Sequence, residues 1–224
     1  RRIAGIPSRI FAVSESDVQL YRSLFKVEKI EFLAVFTGFH ETSILDGPGN
    51  YCLYHGNLSV PENEKAALWL LNKVFNHLHI PFIIAGKNPS QQLMSSAAKN
   101  KNVTLISEPS ENKMKELIRQ AQIHVLPSFN NTGVKLKLIN ALFHGRHCIV
   151  NTAAIQGSHL DHLCIIADDE EKFAEAVNIA LREWVRLTKI NELKKLSGML
   201  AIDDNLQELR NKDKEKLRKL NEPK

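Results

Sequence analysis

From residue 51 to residue 167 the chain alternates short continuous apolar runs with longer segments whose apolar residues recur every three or four positions. The runs predict strands over 51–55, 82–85, 103–106, 123–126, 148–150 and 163–167. The periodic segments predict helices over 62–78, 90–100, 112–120, 134–144 and, short or irregular, 154–160. Strands that are apolar throughout need cover on both faces. The pattern therefore predicts an α/β fold with a doubly wound, Rossmann-like parallel sheet, ordered 3-2-1-4-5-6.

The flanks read differently. Residues 8–25 open with the apolar run RIFAV. Ser14, with Asp17 three residues on, then makes a capping-box-like start for a helix carrying Val18, Tyr21, Leu24 and Phe25. A second apolar run covers 30–36, and Gly38, Gly47, Pro48 and Gly49 break the pattern over 37–50, as a linker at a domain boundary would. After Glu170, the residues Phe173, Ala176, Val177, Ala180, Leu181 and Trp184 form a helical stripe. A thinner stripe over 205–221 predicts a helix lying on a surface, or a fraying end. The division expected is 1–44, 45–185 for the Rossmann-like domain, and 186–224 for extra C-terminal helices.

In that strand order the first and fourth strands are neighbours at the topological switch point, and ligands bind outside their carboxyl ends. The loop after the first contains Gly56 and Asn57; the loop after the fourth runs from Ser128 to Gly133 and leads into a helix near Val134. Lys135 and Lys137 fall in that helix's first turn. Cations are unfavourable at a helix start unless an anion is bound there, so loop and lysines together suggest a phosphate cradle. The plainer alternative is an ordinary loop with two solvated lysines. Lys87, after the second strand, is open to the same two readings.

Composition adds little. The chain has 224 residues, 43% hydrophobic and 25% charged, with net charge +5, as in many soluble globular proteins. From Lys189 onward there are ten Lys/Arg against seven Asp/Glu, so the basic end permits peripheral contact with an anionic membrane only weakly. Cys52, Cys148 and Cys164 lack paired spacing and read as reduced core residues of a cytoplasmic protein. GxGxxG and GxxxxGK[ST] are both absent, and the nine histidines lack zinc-ligand spacing, so no metal site and no resident cofactor are expected.

The segments LYHGNLSVPEN, PFIIAGKNP, IHVLPS and GVKLKLINALFHGRHCIV, in this order, resemble the C-terminal, donor-nucleotide domain of GT-B glycosyltransferases of the family 4, or group 1, type. The resemblance covers about residues 51–183. It implies that 1–44 is the tail of an acceptor domain plus linker, and that the whole protein moves a sugar from a nucleotide-diphosphate sugar to a glycan or lipid-linked acceptor. Metal-independent transfer with retention, no nucleic-acid partner and inactivity of residues 1–224 alone follow from the same likeness; the location expected is cytoplasmic, with the periphery of the inner membrane face as the lesser alternative. In that family a Glu-x7-Glu motif contacts donor sugar and ribose; here Thr132 and Asn140 stand at those positions. An Arg that usually meets the diphosphate is replaced by Asn57. The implied donor site is thus Gly56, Asn57, Lys87, Thr132, Gly133, Val134, Lys135 and Asn140, with Lys135 as the surviving phosphate contact. The three departures also admit a non-catalytic domain that binds a nucleotide or a protein partner.

Overall fold

A computed structural model describes residues 9–33, 37–39, 41–45, 49–130 and 133–182. The chain opens with a small parallel unit: β1 (Ile10–Ala12), α1 (Glu15–Phe25) and β2 (Ile30–Phe32). Ser14 caps α1, its side chain accepting from the Asp17 N–H at 3.1 Å, as the spacing predicts.

The main sheet holds β3 (Cys52–Asn57), β4 (Phe82–Lys87), β5 (Val103–Ser107), β6 (Ile123–Val125), β7 (His147–Val150) and β8 (Ile165–Ile166). All neighbours are parallel, in the order β5-β4-β3-β6-β7-β8. That is the predicted 3-2-1-4-5-6 arrangement. Side chains of β3 show why both faces are covered. Cys52 and Tyr54 join the larger core cluster, whereas Leu53 joins a second cluster with Ala85, Leu117, Ile118 and Ala121. The period-two alternation sends successive apolar residues to opposite faces.

Between the strands run α2 (Pro61–Trp69), α3 (Gln91–Ala98), α4 (Glu111–Gln120), α5 (Leu136–His144) and the short α6 (Thr152–Ile155), with α7 (Glu170–Arg182) after the sheet. Ser90 and Ser110 cap α3 and α4 through their hydroxyls. In α7, Phe173, Ala176, Val177 and Ala180 are buried, while Leu181 is exposed. Trp184 and the predicted stripe over 205–221 lie outside the described residues. Among the described residues no helix is long and apolar enough to cross a membrane.

Three expectations need correction. The helix predicted over 62–78 is α-helical only to Trp69; a π turn, Leu70–Val74, follows, and the chain leaves the helix before His77. The strand predicted over 163–167 shrinks to two residues, because Asp161–Leu163 form a 3-10 turn that buries Leu163. The helix predicted from Val134 begins at Leu136.

The connection after the π turn is held by one side chain. Asn102 Nδ2 lies within hydrogen-bonding reach of the carbonyls of Phe75 (3.3 Å), Leu78 (2.7 Å) and Ile80 (3.2 Å). Removing it leaves carbonyls of a half-buried turn without a donor, so Asn102→Ala is expected to lower unfolding stability by about 1–3 kcal/mol in urea denaturation. An unchanged midpoint would show that water replaces the amide.

Candidate functional site at the switch point

The crevice has a simple origin in the ladders. β3 pairs with β4 along six residues, from Cys52↔Phe82 to Asn57↔Lys87, but with β6 along only two, Cys52↔Ile123 and Leu53↔His124. Beyond Leu53 the two central strands no longer pair, and their carboxyl ends splay. The start of α5 and the first turn of α2 frame the opening.

Gly56 and Asn57 belong to β3 itself rather than to a free loop. Asn57 is exposed, but its Oδ1 accepts from the N–H (3.2 Å) and hydroxyl (2.8 Å) of Ser59, so this side chain shapes its own turn. Lys87 is exposed and sits beside Asn57 in register. On the other lip, Ser128 N–H donates to Asn151 Oδ1 at 2.9 Å and Asn130 Nδ2 to Glu62 Oε2 at 3.0 Å. Phe129 rests beside Trp69, with the Lys65 ammonium 4.8 Å from its ring centre. The loop is thereby stitched to the end of β7 and to α2. Thr132 lies outside the described residues. Gly133 has φ +66°, and the space about its missing Cβ is open, so backbone conformation rather than crowding calls for glycine. Val134 packs against the main core.

The two lysines differ sharply. Lys135 is the N-cap residue of α5, in extended conformation, and no side chain caps this helix start. Its ammonium is half-buried; burial pulls its pKa down, and the carboxylates of Glu62 and Asp17 oppose that pull. Lys137 is in the helix and turns inward. Its Nζ donates to Asn63 Oδ1 at 2.8 Å and to the Tyr54 hydroxyl at 3.1 Å, and lies 4.8 Å from the Tyr54 ring centre. Burial, with Lys135's charge adding, lowers its pKa to about 8 against the pull of Glu62. The reading of both lysines as solvated side chains therefore fails for Lys137. Behind it His55 is buried, with no hydrogen-bond partner for Nε2; burial and the charge of Lys137 push this imidazole down to about 3.

Asn140 is one turn further along α5 and opens on a separate cavity of about 600 Å³ between α4 and α5. Met114, Ile118 and Arg119 form one wall; Phe39 and Ser43 of the linker close it against His144. Ser43 Oγ is 2.7 Å from His144 Nδ1, Ser43 N–H donates to the Phe143 carbonyl at 3.1 Å, and Phe39 stands edge-on to the His144 ring. The structure thus brings Gly56, Asn57, Lys87, Gly133 and Lys135 around one opening and sets Asn140 on a neighbouring wall. Tyr54, Asn63 and Glu62 were not anticipated. Their one signal in the sequence is that Pro61-Glu62-Asn63 starts a helix directly after the first loop.

This is a doubly wound α/β layout with a crevice at its switch point, and comparison with known proteins agrees. A family model described as "Glycosyl transferases group 1" matches residues 49–183. The chain belongs to that family. Similar over 165 residues, at 29% identity, is a 44.6 kDa protein of the cps region of Klebsiella pneumoniae, aligned over 68% of this chain and 39% of that protein. The chain thus spans well under half the length of this curated relative. Among solved structures, sucrose-phosphate synthase from Thermosynechococcus elongatus superposes with a TM-score of 0.76 at 13% identity, over 98% of this chain and 60% of that one. TarM from S. aureus, solved with Fondaparinux, alpha-GlcNAc-glycerol and UDP, gives 0.64 at 13% identity, over 89% and 41%.

Within a group 1 glycosyl transferase the departures now have positions. Asn57, in place of the expected arginine, faces its own turn; the cations at the crevice include Lys87 at the end of β4 and, from α5, Lys137 on the Tyr54 hydroxyl. Among the described residues no group of three His, Cys, Asp or Glu side chains converges as metal ligands would.

Proposed function

We propose that the whole protein transfers a sugar from a nucleotide-diphosphate sugar to a glycan or lipid-linked acceptor, and that residues 49–182 hold the donor. The observation that carries this reading is the splayed β3–β6 crevice, closed by a helix start that presents two ammonium groups. In transfer, the bond between the anomeric carbon and the terminal phosphate oxygen breaks, its electron pair leaving with the nucleoside diphosphate, while the acceptor hydroxyl oxygen bonds to the anomeric carbon and its proton passes to the departing phosphate. Preorganised N–H groups and ammonium charges aimed at that oxygen stabilise it where negative charge develops. Transfer proceeds without a metal and with retention, near the inner membrane face, onto an acceptor held by the preceding domain. The small β1–α1–β2 unit, with Phe11, Leu24 and Phe32 exposed, is read as the border of that domain.

Calorimetric titration with UDP, GDP and their sugars tests the donor site. Binding of one diphosphate in the micromolar to millimolar range is expected. Transfer unaffected by EDTA is expected of the full-length chain, and no transfer from residues 1–224 alone. Silence toward every nucleotide at millimolar concentration would favour a non-catalytic domain that binds a protein partner, the reading supported by Asn57's engagement with its own turn.

Asn140→Glu provides a second test. A carboxylate accepts from both ribose hydroxyls, whereas the amide accepts through one oxygen only. Adding one charge-assisted bond should tighten ribonucleotide binding on the order of tenfold. Unchanged affinity would remove Asn140 and its cavity from the ribose site.

A further inference from the structure

We infer, on the nucleotide-sugar reading above, that Lys137 rather than Lys135 is the cation that meets the donor diphosphate, and that Asn63 and Tyr54 are its positioning residues. Hydrogen-bond chemistry leaves the network one orientation. Asn63 Nδ2 donates to the Asn57 carbonyl at 2.9 Å, so its oxygen must face away from that carbonyl, and it receives Lys137 at 2.8 Å. The Tyr54 hydroxyl donates its only hydrogen to the Asn63 carbonyl at 2.9 Å, leaving its lone pairs to accept from Lys137 at 3.1 Å. Reversing either group would set donor against donor. An ammonium has three N–H bonds; two are taken here, and the third is available to a ligand oxygen.

The network also ties three parts of the crevice together. Asn63 belongs to the first turn of α2, Tyr54 to β3, Lys137 to the first turn of α5, and the Asn57 carbonyl to the lip. Lys135, by contrast, lies outside the helix as its cap residue, with its charge opposite Glu62 and Asp17. Two acceptors hold the Lys137 ammonium, so little rotamer freedom is lost when an anion arrives.

The groups facing the Lys137 ammonium are Lys135 just ahead of its helix, Glu62 on α2, and Tyr54 and neutral His55 on β3. With a pKa of about 8 when no anion is bound, Lys137 is partly deprotonated at pH 8.5. An anion seated against it restores the proton, so binding at that pH takes up a fraction of a proton.

Calorimetry with UDP and GDP at pH 8.5, run in two buffers of different ionisation enthalpy, reads both affinity and proton uptake. Lys137→Met should weaken binding by about 10–100-fold and abolish the uptake, whereas Lys135→Ala weakens it by no more than about threefold. Tyr54→Phe and Asn63→Ala should each weaken it by about 3–10-fold. Equal losses for the two lysines, or uptake that survives Lys137→Met, would overturn the assignment. A second measurement needs no nucleotide: the pH titration of Lys137 followed by NMR in lysine-labelled protein. Tyr54→Phe and Asn63→Ala remove acceptors that favour the ammonium, so each should move the midpoint down. A midpoint that neither moves would overturn the positioning role even if the wild-type chain bound no nucleotide, an outcome that would sink the donor reading separately.

Discussion

Acidification from pH 7 to pH 5 is expected to remove about 2 kcal/mol of stability through His55 alone. The imidazole is buried, its Nε2 has no partner, and its folded-state pKa is lowered to about 3 from an ordinary 6.5. Below pH 6.5 the unfolded chain binds a proton here that the folded chain refuses, so stability is full above that pH and falls as pH drops toward 3. Over the whole window the loss approaches about 5 kcal/mol, a large share of a typical domain's stability. Carboxylates add their own acid sensitivity, which makes a difference measurement necessary. Urea denaturation of wild type and His55→Leu between pH 7 and pH 4 should show curves that diverge progressively, the variant losing less. Parallel curves would mean that water or a local opening lets the imidazole charge without unfolding. The same imidazole bears on function, because a neutral His55 adds no repulsion to the charge of Lys137.

Gly86→Ala is expected to destabilise the fold by at least about 3 kcal/mol. Gly86 lies in β4, paired with Gly56 in β3 and Ser107 in β5. A Cβ there would overlap the Gly56 carbonyl oxygen and stand 2.8 Å from Leu58 Cγ. The first obstacle is backbone in the neighbouring central strand, which cannot swing aside as a long side chain does. Relief would require parting β3 from β4 at the point where Leu58 N–H donates to the Lys87 carbonyl at 2.9 Å, and this turn forms one lip of the crevice. Thermal melts and nucleotide titration should therefore worsen together. A stable Gly86→Ala protein with intact binding would show that the lip tolerates strand separation.

Much of the architecture was legible before any coordinates. Continuous apolar runs such as FIIA and IHVL can be satisfied only by burial on both faces, and short runs separated by single helices leave few topologies open. The strand order and the switch point followed, with Asn57, at a strand end rather than in a loop, and the loop bearing Gly133 beside the same crevice. The Ser14 cap was equally local, because capping depends on a neighbour three residues away. Boundaries were less secure where distant packing competes with periodicity, as in the π turn after Trp69 and the 3-10 turn ahead of β8.

The chemistry of the site divides along the same line. Chain sequence alone places two lysines and a glycine at the start of a helix facing a switch point, because chain order and hydrophobic period are enough for that. It could not tell Lys135 from Lys137, or show that Asn63 and Tyr54 receive one of them. Those facts depend on the azimuth of α5, set by the packing of Leu138, Leu142 and Phe143 into the core, and on α2 and β3 meeting it there. Nor could it show the linker lying against His144 beside Asn140, a contact between residues about a hundred positions apart. Local periodicity places a residue on an element. Only packing between elements decides which way its charge points, and therefore which anion it can hold.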